Sequence, residues 1–139
     1  MPTMTAFDAY RVIMDHKRVK QILPRIAKEV VCDMFNVTGE ELLGDVRFGG
    51  VMDARQFYCK LLRDYGSHRS SQFSYREIGD TFWVNKGGHS KAPRNHASVL
   101  HNVRVLNSRM NLKQYAELSD VYKACSGEVK RRIENKHIG

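Results

Sequence analysis

Between Thr81 and Ala116 the chain runs for 36 residues without an aspartate or glutamate, while it carries Lys86, Lys91, Arg94, Arg104, Arg109 and Lys113, with His89, His96 and His101 among them. Such a stretch is an electrostatic footprint for a polyanion, because each phosphate neutralised by lysine or arginine releases condensed counterions. The imbalance is local. Residues 1–69 carry 11 basic and 9 acidic side chains, residues 70–139 carry 12 and 6, and the formal net charge is +8. A nucleic acid is the leading partner on this distribution, and the plain alternative is a solvated basic surface that serves solubility. An anionic membrane fits less well, since basic residues interleaved with Gly, Asn and Pro do not line one face of a strongly amphipathic helix.

Inside this stretch, Arg94-Asn95-His96-Ala97-Ser98 sets small or hydrogen-bonding side chains ahead of the first apolar residue, Val99. Asn95 is a preferred N-cap type, so the segment reads as the first turn of a helix with Val99, Leu100, Val103 and Leu106 facing inward. A helix start with exposed N–H groups also favours a phosphate. Upstream, Ser74 with Glu77 three residues later forms a capping box that opens a short helix running to about Trp83. Two capped helices joined by a loop over 84–94 have the lengths of a helix-turn-helix, whose second helix enters the major groove N-terminus first.

The same residues argue against catalysis. His96 and His101 are five apart and do not share a helical face, and the segment holds no carboxylate to complete a metal or acid–base site. Cys32, Cys59 and Cys125 are odd in number, far apart and outside any C-x-x-C pair, which argues against a zinc ribbon or disulfide framework; Cys32 and Cys125 fall among apolar residues at helical spacing and suit small core residues, and reduced thiols fit a cytoplasm. Trp83 and Phe82 fit core or turn packing better than base stacking, and no cluster of exposed aromatics calls for single-stranded RNA.

The elements that must position this motif are helical, giving an all-α domain. A first helix starts at Thr5 and runs through Phe7, Tyr10, Ile13 and Met14. Pro24 opens a second, with Ile26, Ala27, Val30, Val31, Met34 and Phe35 on one face. Thr38 and Glu41 form a capping box for a short helix ending near Gly44, and Gly49-Gly50 fall in a loop from Asp45 to Met52. Ala54, Phe57, Tyr58, Leu61, Leu62 and Tyr65 mark a core-facing helix stopped by Gly66. Asn111 caps a last long helix with Tyr115, Leu118, Val121, Tyr122, Cys125, Val129 and Ile133 inward, which Gly127 weakens. At 139 residues there is room for one domain. No apolar run approaches the roughly 20 residues of a membrane span and the N-terminus is unlike a signal peptide, so the expectation is a soluble, cytoplasmic protein with no membrane partner.

Glu77-Ile78-Gly79-Asp80-Thr81-Phe82 followed by Arg94-Asn95-His96-Ala97-Ser98-Val99-Leu100-His101 resembles the signature of domain IV, the C-terminal DNA-binding domain of the bacterial replication initiator DnaA: E-I-G-x-x-F, a short G-G-R turn, then D-H-T-T-V-L-H. The resemblance continues upstream through Val31, Met34-Phe35, Val37, Leu42-Leu43, Arg47 and Ala54-Arg55-Gln56, and covers roughly 22–133. It implies a Trp-repressor-like helical domain over 22–139, preceded by an N-terminal helical extension over 1–21. It further implies double-stranded DNA as partner, with a recognition helix over about 95–106. On that resemblance Asn95, His96 and Ala97 face base edges, Arg47 enters the minor groove, and Arg94, Ser98, Arg55 and Gln56 hold phosphates. The inserted turn either adds phosphate contacts through Lys86 and Lys91 or is a mobile, indifferent loop, and its lack of acidic residues favours the former.

The departures from the pattern carry information too. Asn95 stands where the family has aspartate, which shifts the preferred base from cytosine toward adenine, and Ala97 keeps only the methyl of a threonine. The loop around Arg47 lacks most of the family's basic residues, and the turn over 84–94 is longer by about nine residues, an insertion large enough to change how the motif meets DNA. No G-x-x-x-x-G-K-[ST] phosphate loop occurs, so neither a nucleotide nor another cofactor is expected. The expectation is therefore a stand-alone, monomeric, sequence-preferring reader of duplex DNA, acting in replication or transcription control of a phage or mobile element. The alternative is an adaptor that binds replication proteins, docking through the helix over 5–23.

Overall fold

A computed structural model of the chain describes residues 6–44, 47–65, 72–82, 84–86, 90–92 and 94–138. Its order is α1 (Ala6–Phe35), α2 (Gly39–Leu43), α3 (Gly49–Tyr65), α4 (Tyr75–Asp80), β1 (Val84–Lys86), β2 (Ser90–Ala92), α5 (His96–Met110), a 3-10 turn (Lys113–Tyr115) and α6 (Ala116–Ile138). The packed body is all helical. The loop expected over 84–94 instead contains a small antiparallel hairpin that pairs Val84 with Ala92, Asn85 with Lys91 and Lys86 with Ser90. A three-residue strand is too short for its alternation to show in a sequence.

Helix α3 is the hub, packing against α1, α2, α4, α5 and α6. Its buried face, Ala54, Phe57, Tyr58, Leu61 and Leu62, meets Leu23, Ile26, Ala27, Val30 and Val31 of α1, Val99, Val103 and Leu106 of α5, and Tyr122, Cys125, Val129 and Ile133 of α6 in one core. An edge-to-face chain runs through it, with Phe35 and Phe57 at 4.9 Å and Phe57 and Tyr122 at 5.7 Å between ring centroids. Such pairs add about 1 kcal/mol each beyond the area they bury.

The two helices expected over 5–23 and from Pro24 are one: α1 continues through Pro24. A proline in a helix interior withholds one N–H and crowds the preceding turn, at a cost of about 3 kcal/mol. The stripe around it outweighs that cost, because each fully buried Leu, Ile or Val stabilises by about 1.5–3 kcal/mol. α1 ends where Asn36 takes φ 53° and the Val37 N–H donates to the Cys32 carbonyl at 3.1 Å, a Schellman stop in which asparagine replaces the usual glycine.

Both capping boxes form as expected, Thr38 with Glu41 and Ser74 with Glu77, although α4 ends at Asp80, short of Trp83. Gly49 and Gly50 lie in the first turn of α3 and not in a loop; the Phe48 carbonyl accepts from the N–H groups of Val51 and Met52, and the burial of Val51 and Ala54 carries the helix back to them. Asn111 closes α5 and does not open α6, with its N–H turned back to Arg109 and Ser108. Tyr115 and Val121, expected inward, are exposed. The buried stripe of α6 steps 122, 125, 129, 133, and residue 121 falls off it. Gly66, Trp83 and Gly87 to His89 lie outside the described residues. Among the described residues no helix is long and apolar enough to cross a membrane.

Candidate nucleic-acid interface

α4 and α5 meet at a point where only glycine fits. The Arg94 N–H donates to the Gly79 carbonyl at 3.0 Å, and a Cβ on Gly79 would collide with the Arg94 carbonyl oxygen. Tyr58 of α3 tightens the same corner: its hydroxyl donates to Thr81 Oγ1 at 2.7 Å, Thr81 Oγ1 donates to the Ile78 carbonyl, and its ring stacks edge-on with Phe82 at 5.3 Å. The Arg94 guanidinium lies 4.9 Å from the Phe82 ring centroid and donates to the Gly44 carbonyl at 2.9 Å. The start of α5 is thereby held against α4 and the end of α2.

From this anchored start, Asn95, His96, Ala97, Ser98 and His101 are exposed. Asn95 caps α5: its Oδ1 accepts from the Ala97 N–H at 2.8 Å, while its carbonyl accepts from Ser98 at 3.0 Å. Two N–H groups of the first turn are therefore already bonded, and attraction for a phosphate rests on nearby arginines more than on the bare helix end. The cap also limits base reading by Asn95, since bidentate pairing with adenine needs both amide atoms and Oδ1 is held by the helix.

Beside this turn opens a cleft of about 380 Å³ lined by Arg47, Met52, Arg55, Arg94, Ala97, Ser98, His101 and Asn102. Among the described residues its lining includes three arginines and no carboxylate. It gathers five of the residues singled out from the sequence, Arg47, Arg55, Arg94, Ala97 and Ser98, with His96 and Asn95 at its edge in the chain.

Arg55 and Gln56 require a correction. They are 4% and 7% exposed, so neither side chain extends from the surface as a phosphate ligand, although Arg55 lines the cleft and adds its charge there. Arg55 Nε donates to the Leu42 carbonyl at 2.9 Å and its Nη2 to the Glu41 carbonyl at 2.7 Å, tying α3 to the end of α2 beneath the cleft. Gln56 Oε1 accepts from Arg109 Nη1 at 2.9 Å, and the same nitrogen reaches Asp53 at 2.8 Å. Both residues sit on the buried side of α3, which a local spacing rule does not reveal. Lys86 and Lys91 stand on β1 and β2, and their side chains lie outside the described residues.

Met52, His101 and Asn102 line the cleft without having been assigned a role from sequence. Ala97, Ser98, His101 and Asn102 fall at i, i+1, i+4 and i+5, one face of a helix, and that periodicity was the available signal for the last two. Cys59, buried beneath, is pushed up to about 12 by burial, against the opposing pull of Arg94, a hydrogen bond with Asn102, and Arg55. It stays a neutral thiol at physiological pH and serves packing. Comparison with family models, with curated proteins and with solved structures finds no match to this chain.

Proposed function

We propose that this chain is a non-catalytic, sequence-preferring binder of double-stranded DNA. In it α4 and α5 act as a helix-turn-helix and the first turns of α5 enter the major groove, in the manner of the initiator domain its sequence resembles. The observation that carries the reading is the cleft in which Arg47, Arg55 and Arg94 converge beside the exposed start of α5, with no carboxylate among its described lining residues. His96, Ala97 and His101 meet base edges by imidazole hydrogen bonds and methyl contact, Ser98 meets a phosphate, and Arg47 reaches the neighbouring minor groove. Arg94 shares its guanidinium between the fold and the phosphate backbone. The setting is replication or transcription control of a phage or mobile element.

Selection of bound duplexes from a random double-stranded pool tests this, followed by affinity for the winner against salt and against a single-stranded control. Recovery of one short motif, with His96→Ala relaxing preference at particular bases and Arg47→Ala lowering the salt slope by about one, is the expected result. Failure to enrich any motif overturns the specific-reader proposal. A second reading, an adaptor for a replication protein, draws on exposed Leu112, Tyr115 and Val121 around the start of α6. An adaptor would keep its activity when Arg47 is neutralised.

A further inference from the structure

Two large apolar side chains stand in water beside the basic cleft. Phe48 is 50% exposed and Met52 45% exposed, although the same helix buries an arginine and a glutamine. They lie one turn apart, with the Met52 N–H donating to the Phe48 carbonyl at 3.1 Å. Met52 lines the cleft together with Arg47, Ala97 and His101, and Phe48 follows Arg47 directly in the chain. Exposed apolar surface of this kind, set next to converging cations, fits a partner that offers negative charge and flat apolar faces at adjacent points. Duplex DNA has both within a few ångströms: phosphates for the arginines, and stacked bases for the aromatic ring. The exposed apolar residues around the start of α6 stand away from the cleft, and the arginine over Tyr115, Arg109, is ion-paired with Asp53.

We infer that Phe48 and Met52 form an apolar wedge that opens a base step beside Arg47, so that the protein kinks the duplex it binds. This rests on the DNA-binding proposal and deepens it. With the start of α5 in the major groove and Arg47 in the adjoining minor groove, as proposed above, Phe48 and Met52 beside Arg47 meet that minor groove too. Apolar wedges inserted there partly unstack a step and bend the duplex by roughly 20–90°. The unstacking cost is lowest at flexible pyrimidine–purine steps, which gives sequence preference at a position read by no hydrogen bond.

The test uses the full chain and a duplex recovered by the selection above, labelled at both ends for energy transfer. Wild-type protein and Phe48→Trp are expected to shorten the end-to-end distance. Phe48→Ala and the double variant with Met52→Ala should leave the duplex straight and bind about tenfold more weakly, while circular dichroism confirms that both remain helical. Placing a TA step at the kink should raise affinity for wild type and not for Phe48→Ala. A bound duplex that stays straight, or a bend that persists in the double variant, overturns this inference alone. Binding to no duplex overturns it together with the DNA-binding proposal.

Discussion

Two surfaces of this molecule carry arginines and treat them in opposite ways. Along the seam between α1 and α6, Arg132 faces three carboxylates, Glu128 at 2.8 Å, Asp33 at 3.4 Å and Glu29 at 3.9 Å. Hydrogen bonds from Arg131 and Arg132 hold the Glu128 carboxyl down to about 2. In the cleft beside α5, the anchors on Arg55 and Arg94 include backbone carbonyls of Glu41, Leu42 and Gly44. Carboxylates fix a guanidinium and offset its charge, whereas backbone carbonyls tie it to the fold. The seam is therefore neutralised structure. The cleft gathers Arg47, Arg55 and Arg94 on one surface beside the exposed start of α5, a concentration of positive charge that suits the proposed polyanion.

Removing an arginine from each place separates the two uses. Arg55→Ala should have the largest effect on stability, about 2–3 kcal/mol, because it strands buried carbonyls at the end of α2; a denaturant midpoint equal to wild type would show that Arg55 is not the tie between α2 and α3. Asn95→Ala should cost about 1 kcal/mol by loss of the cap while Asn95→Ser retains most of it. Equal stability of the two variants would free Asn95 for base reading.

Arg47→Ala and Arg132→Ala should trade places in two assays. The first should leave stability within about 0.5 kcal/mol and reduce the salt dependence of duplex binding by about one phosphate. The second should lower stability by at most about 1 kcal/mol and leave that dependence unchanged. A matching change in both variants would erase the distinction between seam and cleft.

The smallest effect is acid-side. A hydrogen bond from Lys20 holds the Glu77 carboxyl below its ordinary value of 4.5. Its folded value is depressed, so its stabilisation is complete above the ordinary value and is lost as pH falls through the folded one. The thermal midpoint should drop between about pH 5 and 3, and Glu77→Gln, which keeps the capping box, should flatten part of that drop. An unchanged profile would remove Lys20–Glu77 as a contributor.

Local signals in the sequence located the parts that depend on neighbours three or four residues away. Thr38 with Glu41, Ser74 with Glu77, and the Asn95 cap all stand where spacing placed them, because a cap is satisfied within one turn. What was not legible depends on distant packing. Pro24 marks a helix start on propensity, yet the buried stripe around it holds α1 continuous. Asn111 suits either end of a helix, and only the path of the chain into the 3-10 turn decides which. Arg55 and Gln56 look like surface contacts until α2 and Arg109 are brought against them. The pairing of 84–86 with 90–92 is likewise set by contacts between two strands and not within one helical turn.

The central claim is that the start of α5 and the cleft beside it meet duplex DNA. Its most direct test follows backbone amide shifts of the isotope-labelled full chain as a selected duplex is titrated in. The expected result is perturbation concentrated on residues 94–102 and 47–52, with the α1–α6 seam around Arg132 unmoved. Shifts concentrated on the seam, or at Leu112 to Val121 with the cleft silent, would contradict it.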